Sequence, residues 1–146
     1  MPLGAARFGF SGGAIDLGSL QLIQTQTLSS GNCLEFTSIK QTEYDVHLIQ
    51  GNNVESSSST TSISVRLSND GGSSYEADTN YQIALQYGTT AGSFGEVRST
   101  GTSYMEFLSD DANQNRNGYM YLYDLGDSSK YSFSTNLQMQ ESKMTF

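Results

Sequence analysis

"NGYMYLYDLGDSSKYSF", residues 117–133, sets tyrosines at 119, 121 and 123, a Gly-Asp-Ser-Ser corner at 126–129 and a fourth tyrosine at 131. Residues two apart share a face of a β-strand. Tyr119, Tyr121 and Tyr123 therefore stand on one side of a strand, with Met120 and Leu122 on the other. The corner then reverses the chain, so the stretch reads as a β-hairpin. Both faces of its first strand are semi-apolar, which predicts a central strand covered on both sides or a strand at a subunit interface. Tyrosines packed in this way are expected in preference to rings presented as a sugar-stacking platform, and the absence of Trp points the same way.

The period of two extends in both directions from this hairpin. "LQLIQTQTL" places Leu20, Leu22 and Leu28 on one parity, and "CLEF" pairs Leu34 with Phe36. "YDVHLI" puts Tyr44, Val46 and Leu48 on one face, with Asp45 and His47 on the other. "SISVRL" sets Ile63, Val65 and Leu67 against Ser62, Ser64 and Arg66, and "YQIALQY" repeats the scheme with Tyr81, Ile83, Leu85 and Tyr87. "YMEFL" is a shorter candidate around Met105 and Phe107, and "YSFSTNLQM" alternates Tyr131, Phe133, Leu137 and Met139. Polar stretches rich in Gly, Asn, Asp and Ser at 51–61, 68–80, 88–100 and 109–117 read as loops. About eight strands and no competing helix predict an all-β protein, an antiparallel β-sandwich with a jelly-roll-like topology, over residues 20–146.

Composition agrees. The 146 residues include 23 Ser, 13 Thr, 15 Gly and 9 Tyr but only 15% charged residues, a mixture that favours strands and turns over helices. One domain and one core are expected at this length. Residues 1–19, "MPLGAARFGFSGGAIDLGS", contain five glycines and no sustained period. They read as an extended N-terminal arm whose pegs, Leu3, Phe8, Phe10 and Ile15, dock on the domain or on a partner. The final "QESKMTF" stops on an apolar residue soon after a strand, which predicts either a strand taken from elsewhere or a longer chain.

Several function classes are disfavoured. A net charge of −8 with seven scattered basic residues is unsuited to a phosphate backbone, so no nucleic-acid partner is expected. No run approaches the ~18 apolar residues of a membrane span, and the N-terminus lacks the apolar core of a secretory signal. Synthesis in a cytoplasm is the expectation. His47 is the sole histidine and lies mid-strand, where a solvated or interface role is expected in place of catalysis. Cys33, the sole cysteine, reads as a small buried side chain. "DANQNRNG", from Asp111, spaces oxygen ligands as a calcium loop does, but Arg116 and Leu122 occupy the positions where an EF-hand needs Gly and Glu. A looser site on Asp110 and Asp111 is the residual option. Glu43, Asp45, Glu106 and Asp124 are candidate glycosidase carboxylates that the sequence does not pair. No catalytic residue, cofactor or metal is expected.

The hairpin "GYMYLYDLGDSSKYSF" (118–133), with "TEYDVHLIQGNNV" (42–54), "ISVRLSNDGGSSYE" (63–76) and "RFGFSGG" (7–13), resembles small virion proteins of marine tailed bacteriophages. In that family an aromatic-x-aromatic strand runs into a Leu-Gly-Asp/Asn-Ser-Ser-Lys-Tyr corner. The resemblance covers most of residues 7–135. It implies a β-sandwich subunit of a phage particle, either a tail-fibre or appendage component or a capsid decoration protein. It also implies homo-oligomers, commonly homotrimers, attached to other virion proteins through the N-terminal arm and located in the virion after assembly in the host cytoplasm. Members of the family often continue into a further strand that this sequence lacks.

The function expected from residues and resemblance together is therefore non-enzymatic and structural, with polar loops facing outward. The alternative is a carbohydrate-binding module that recognises host surface glycans through its loops and Tyr75, Phe94 or Tyr104.

Overall fold

The computed structural model describes residues 20–27, 31–55, 62–108, 114–127, 129–140 and 143–146. The chain divides into two units, Met1–Ile39 and Lys40–Phe146. The described part of the first carries no strand. Leu3, Phe8, Phe10, Ile15 and Leu28 lie outside the described residues.

The second unit is all-β, with eight strands among the described residues: β1 (Val46–Val54), β2 (Ile63–Val65), β3 (Tyr81–Thr89), β4 (Phe94–Thr102), β5 (Met105–Leu108), β6 (Arg116–Tyr123), β7 (Phe133–Met139) and β8 (Lys143–Thr145). Six of them form one antiparallel sheet in the order β1-β6-β7-β8-β3-β4, and β2 pairs with β5 in a separate two-stranded sheet. The opening hairpin is thus β6–β7, with Tyr119 opposite Leu137, Tyr121 opposite Thr135 and Tyr123 opposite Phe133. The β3–β4 hairpin closes through Gly92 (φ 83°), whose left-handed backbone is what glycine tolerates. Its turn is held by Thr89 N–H to the Ser93 carbonyl at 2.8 Å and Gly92 N–H to the Thr89 carbonyl at 2.9 Å.

The core is small and lies on one face of the large sheet. Phe107 and Leu108 of β5 pack with Met120 and Leu122 of β6, and Ile49, Val54, Ile63, Val65, Met105 and Leu125 close around them. The expected total of eight strands is met, but by a different set. "LQLIQTQTL" and "CLEF" form no strand among the described residues, while β4 arises in a stretch that reads as a loop and β8 in the terminal "KMT". Gly95 and Gly101 break the hydrophobic rhythm of β4. Its place at the sheet edge, paired only with β3, is nonetheless set by backbone hydrogen bonds. Gly51–Val54 and Arg116–Asn117, also expected as loop, extend β1 and β6.

Facing is a second correction. Met120 and Leu122 point into the core, so the three tyrosines point away from it. Cross-strand register then fixes the neighbours: His47 opposes Leu122 and Ile49 opposes Met120 on the inner face, while Val46, Leu48 and Gln50 oppose Tyr123, Tyr121 and Tyr119 on the outer. His47, expected solvated or at an interface, is buried and Val46 is 50% exposed. "VHLI" carries apolar residues on both parities, and the partner strand selects between them.

Register with β6 sets the facing of β7 in the same way. Phe133, Leu137 and Met139 face outward, while Asn136 and Gln138 face inward. The inward polar groups are satisfied: Gln138 Nε2 donates to Thr145 Oγ1 at 2.8 Å and Asn136 Nδ2 donates to the Glu106 carbonyl at 3.0 Å. Strand β3 keeps its expected sense, with Leu85 buried. Cys33, expected inside, is exposed.

Candidate functional site: the outward aromatic face

The outward faces of β1, β6, β7 and β8 make one apolar surface. Its centre is a ladder of rings in which Tyr119 meets Tyr121 edge-on (centroids 5.7 Å, interplanar 72°) and Tyr121 stacks on Tyr123 (6.3 Å, 29°). These are separations at which aromatic pairs attract beyond their buried area. Tyr123 Oη lies 3.3 Å from Thr135 Oγ1 across the β6–β7 ladder. Val46 and Leu48 flank the ladder on one side and Phe133, Leu137 and Met139 on the other, with Met144 beyond, opposite Met139. Phe133 is 62% exposed and Tyr119 40%. Among the described residues, the outward positions of these four strands hold no carboxylate, lysine or arginine. At the far margin Phe94 opposes Gly88 and lies over the bare glycine backbone.

The three aromatic residues proposed for loop recognition fall at two ends of the sheet. Phe94 opens β4 and is 83% exposed, whereas Tyr104 follows the other end of that strand, half-buried. Ten residues of extended chain put these two about 30 Å apart. Tyr75 is half-buried in the β2–β3 connection. That connection is tied to the Tyr104 end, because Glu76 N–H donates to the Leu67 carbonyl, Leu67 N–H donates to Tyr81 Oη, and Tyr81 opposes Thr102.

Charged groups collect at two turns. At the β6–β7 corner, Asp127 accepts from Ser129 Oγ (2.5 Å) and Ser129 N–H (2.9 Å), and Lys130 Nζ lies 3.0 Å from Asp127 and 3.9 Å from Asp124. The Ser129 hydroxyl and amide, with Lys130, hold the Asp127 carboxyl down at about 2. The Asp127 carboxylate, helped by Asp124, raises the Lys130 ammonium above its usual range. Asp45 and Asp124 both line an open cleft of about 240 Å³ here, with Gln41, Asp127 and Lys130. Of the four candidate carboxylates this corner gathers two. Glu43 pairs with Lys40 at 3.1 Å, and Glu106 sits on β5.

The second turn is Asn69-Asp70-Gly71-Gly72. Asp70 accepts from Ser74 Oγ (2.6 Å), Ser74 N–H (2.8 Å) and Ser68 Oγ (2.8 Å), and these donors hold its carboxyl at about 2. Both clusters are self-satisfied turn structures. Among the described residues no group of three or more His, Cys, Asp or Glu side chains could hold a metal ion. Asp110 and Asp111 lie outside the described residues.

His47 packs edge-on against Tyr44 (6.4 Å, 84°) within the inner layer, so its surroundings are those of a core residue and not of a solvated one. Arg116, at the start of β6, is fully buried opposite Val54. Sequence reasoning left it in a loop. The run Arg116, Gly118, Met120, Leu122 on a single parity is the signal that would have placed it inside. Comparison of the chain with protein-family models, with curated proteins and with solved structures gave no match in any of the three.

Proposed function

We propose that the protein is a non-enzymatic structural subunit of a phage virion, a tail-fibre or appendage component or a capsid decoration protein. The observation that carries this reading is the outward face: a rigid antiparallel sheet presents aromatic and aliphatic side chains without charge, while the titratable groups at the turns are engaged with their own loops. Such a surface suits lasting contact with protein rather than turnover of a substrate. The resemblance of residues 7–13, 42–54, 63–76 and 118–133 to motifs of marine phage virion proteins supports the same reading. In it the β2–β5 pair is the second layer of a jelly-roll-like β-sandwich. Residues 1–19, with Leu3, Phe8, Phe10 and Ile15, are the attachment arm to other virion proteins, and the subunits work as homo-oligomers, trimers being the family's common form. The test is mass spectrometry of purified particles of the phage that carries the gene. The chain is expected in stoichiometric amounts and is expected to be lost when residues 2–19 are deleted. Its absence from particles would reject the reading.

The tyrosine ladder favours one second reading, a carbohydrate-binding module for host surface glycans, since a row of half-open rings on a sheet face is what sugar rings stack on. Glycan binding abolished by Tyr121→Ala, or by Tyr75→Ala or Tyr104→Ala in the loops, would support recognition. Binding absent across host-surface glycans would remove it.

A further inference from the structure

We infer that the outward aromatic face is covered by a second copy of this chain, packed sheet to sheet. The inference deepens the reading of the protein as an assembly subunit and rests on it for its biological setting.

Its first support is the direction of the side chains. On β7 the more apolar parity faces away from the core and the inward parity is Ser134, Asn136 and Gln138, while β1 divides its apolar residues, with Val46 and Leu48 outward. A shift of one residue exchanges the two faces of a strand. The observed sense, with Phe133, Leu137 and Met139 outward, is therefore the costly one for a lone subunit in water. Outward Val46 and Met144 add to that cost.

Extent is the second support. Three strands about 4.8 Å apart with seven residues at about 3.3 Å each, and the three residues of β8 beside them, give a patch on the order of 380 Å² in plan. Side-chain relief and the flanking Phe94 and Phe146 bring its accessible area toward the ~800 Å² per partner of a stable interface. Flat faces of this kind pack against each other about 10 Å apart with strands near −30°.

Charge selects the occupant. Two copies that each carry −8 repel wherever carboxylates meet, and the outward positions of β1, β6, β7 and β8 hold none among the described residues, Glu96 of β4 standing beside Phe94 at the margin. Tyrosine hydroxyls both donate and accept, so Tyr119, Tyr121 and Tyr123 can satisfy their counterparts across a two-fold contact without a complementary sequence. A small ligand is the poorer fit. The cleft at the Asp124 turn and the cleft lined by Gln86, Phe94, Glu96 and Phe146 both lie away from the ladder, which is itself a broad surface without convergent polar groups.

Sedimentation velocity on the full chain tests this. The wild type is expected at a multiple of 15.9 kDa. Phe133→Asp and Leu137→Asp are each expected to raise the dissociation constant at least about tenfold. Tyr131→Ser, at a residue exposed off the strands, should leave it unchanged. Phe133 lies outside the core, so Phe133→Asp should keep the wild-type circular dichroism and unfold in one cooperative urea transition, which excludes misfolding as the cause. A monomeric wild type, or an oligomer indifferent to both aspartates, overturns the proposal. So does a monomer that associates only once residues 2–19 are removed, because the arm would then be the cover. Particle content separates the two readings: a monomer still found in purified particles sinks the interface alone, and an oligomer absent from them sinks the virion subunit alone.

Discussion

At Gly118 the backbone of β6 runs so close to its surroundings that a Cβ would stand 2.8 Å from Leu108 Cδ2 and 2.9 Å from the Leu137 carbonyl. The leucine can turn aside, but the carbonyl belongs to the neighbouring strand. Gly118→Ala is therefore expected to destabilise by about 1–3 kcal/mol through overpacking, read as a lower urea midpoint with an unchanged slope. A second residue-scale expectation concerns acid. Asp70 and Asp127 are held at about 2 in the folded chain, against ~3.9 for an unperturbed aspartate. The unfolded chain thus binds more protons between those values, so the stabilisation is complete above about pH 4 and is lost as pH falls toward about 2. The melting temperature of Asp70→Asn/Asp127→Asn should lie below the wild type at pH 6, and the gap should close by pH 2. A gap that persists at pH 2 would mean that the carboxylates stabilise the turns by something other than their charge. "GDSS" was legible in the sequence as a turn. The donors that lower its aspartate were not, because they depend on rotamers.

At the level of elements, the clearest contrast is between β6 and β7. The alternation of 119–123 gave a strand with two semi-apolar faces, and strand, hairpin and central position all follow in the structure. Which face turns inward was not legible, because Met120 and Leu122 compete with three tyrosines of greater area. The decision falls to β5, whose Phe107 and Leu108 need a flat aliphatic surface to close on. Once β6 is set, register transmits its choice to β1 and β7 and overrides the apolar parity of β7. The missed β4 has the opposite origin. An edge strand with one partner and little burial needs no hydrophobic alternation, so its glycines and serines leave no periodic signal. Leu122→Ala and Met120→Ala should each cost about 2–4 kcal/mol by opening a cavity, whereas Tyr121→Ala should leave the urea midpoint of the dissociated subunit far less changed. Equal losses on the two faces would place a covering layer on the tyrosines within the subunit itself.

For the whole molecule, the division between faces organises everything else. On one side of the six-stranded sheet β2 and β5 pack over a core of few residues, and on the other the outward positions of β1, β6, β7 and β8 are aromatic and aliphatic without charge among the described residues, on a chain of net charge −8. A core this small makes assembly a natural source of further stability, since buried interface area acts on the folded state alone. Composition made the all-β class readable. The candidate surface was half-readable: the tyrosines were singled out, and an interface was one of the two places expected for them. Phe133, Leu137 and Met139, which complete that surface, were legible as one parity of a strand without a side assigned to it. The most direct measurement is tyrosine nitration followed by mass spectrometry on the wild type and on Phe133→Asp at matched concentration. The account predicts that Tyr119 is shielded in the assembled wild type and reactive in the dissociated variant, while Tyr131 reacts in both. Equal reactivity of Tyr119 in the two proteins would contradict it.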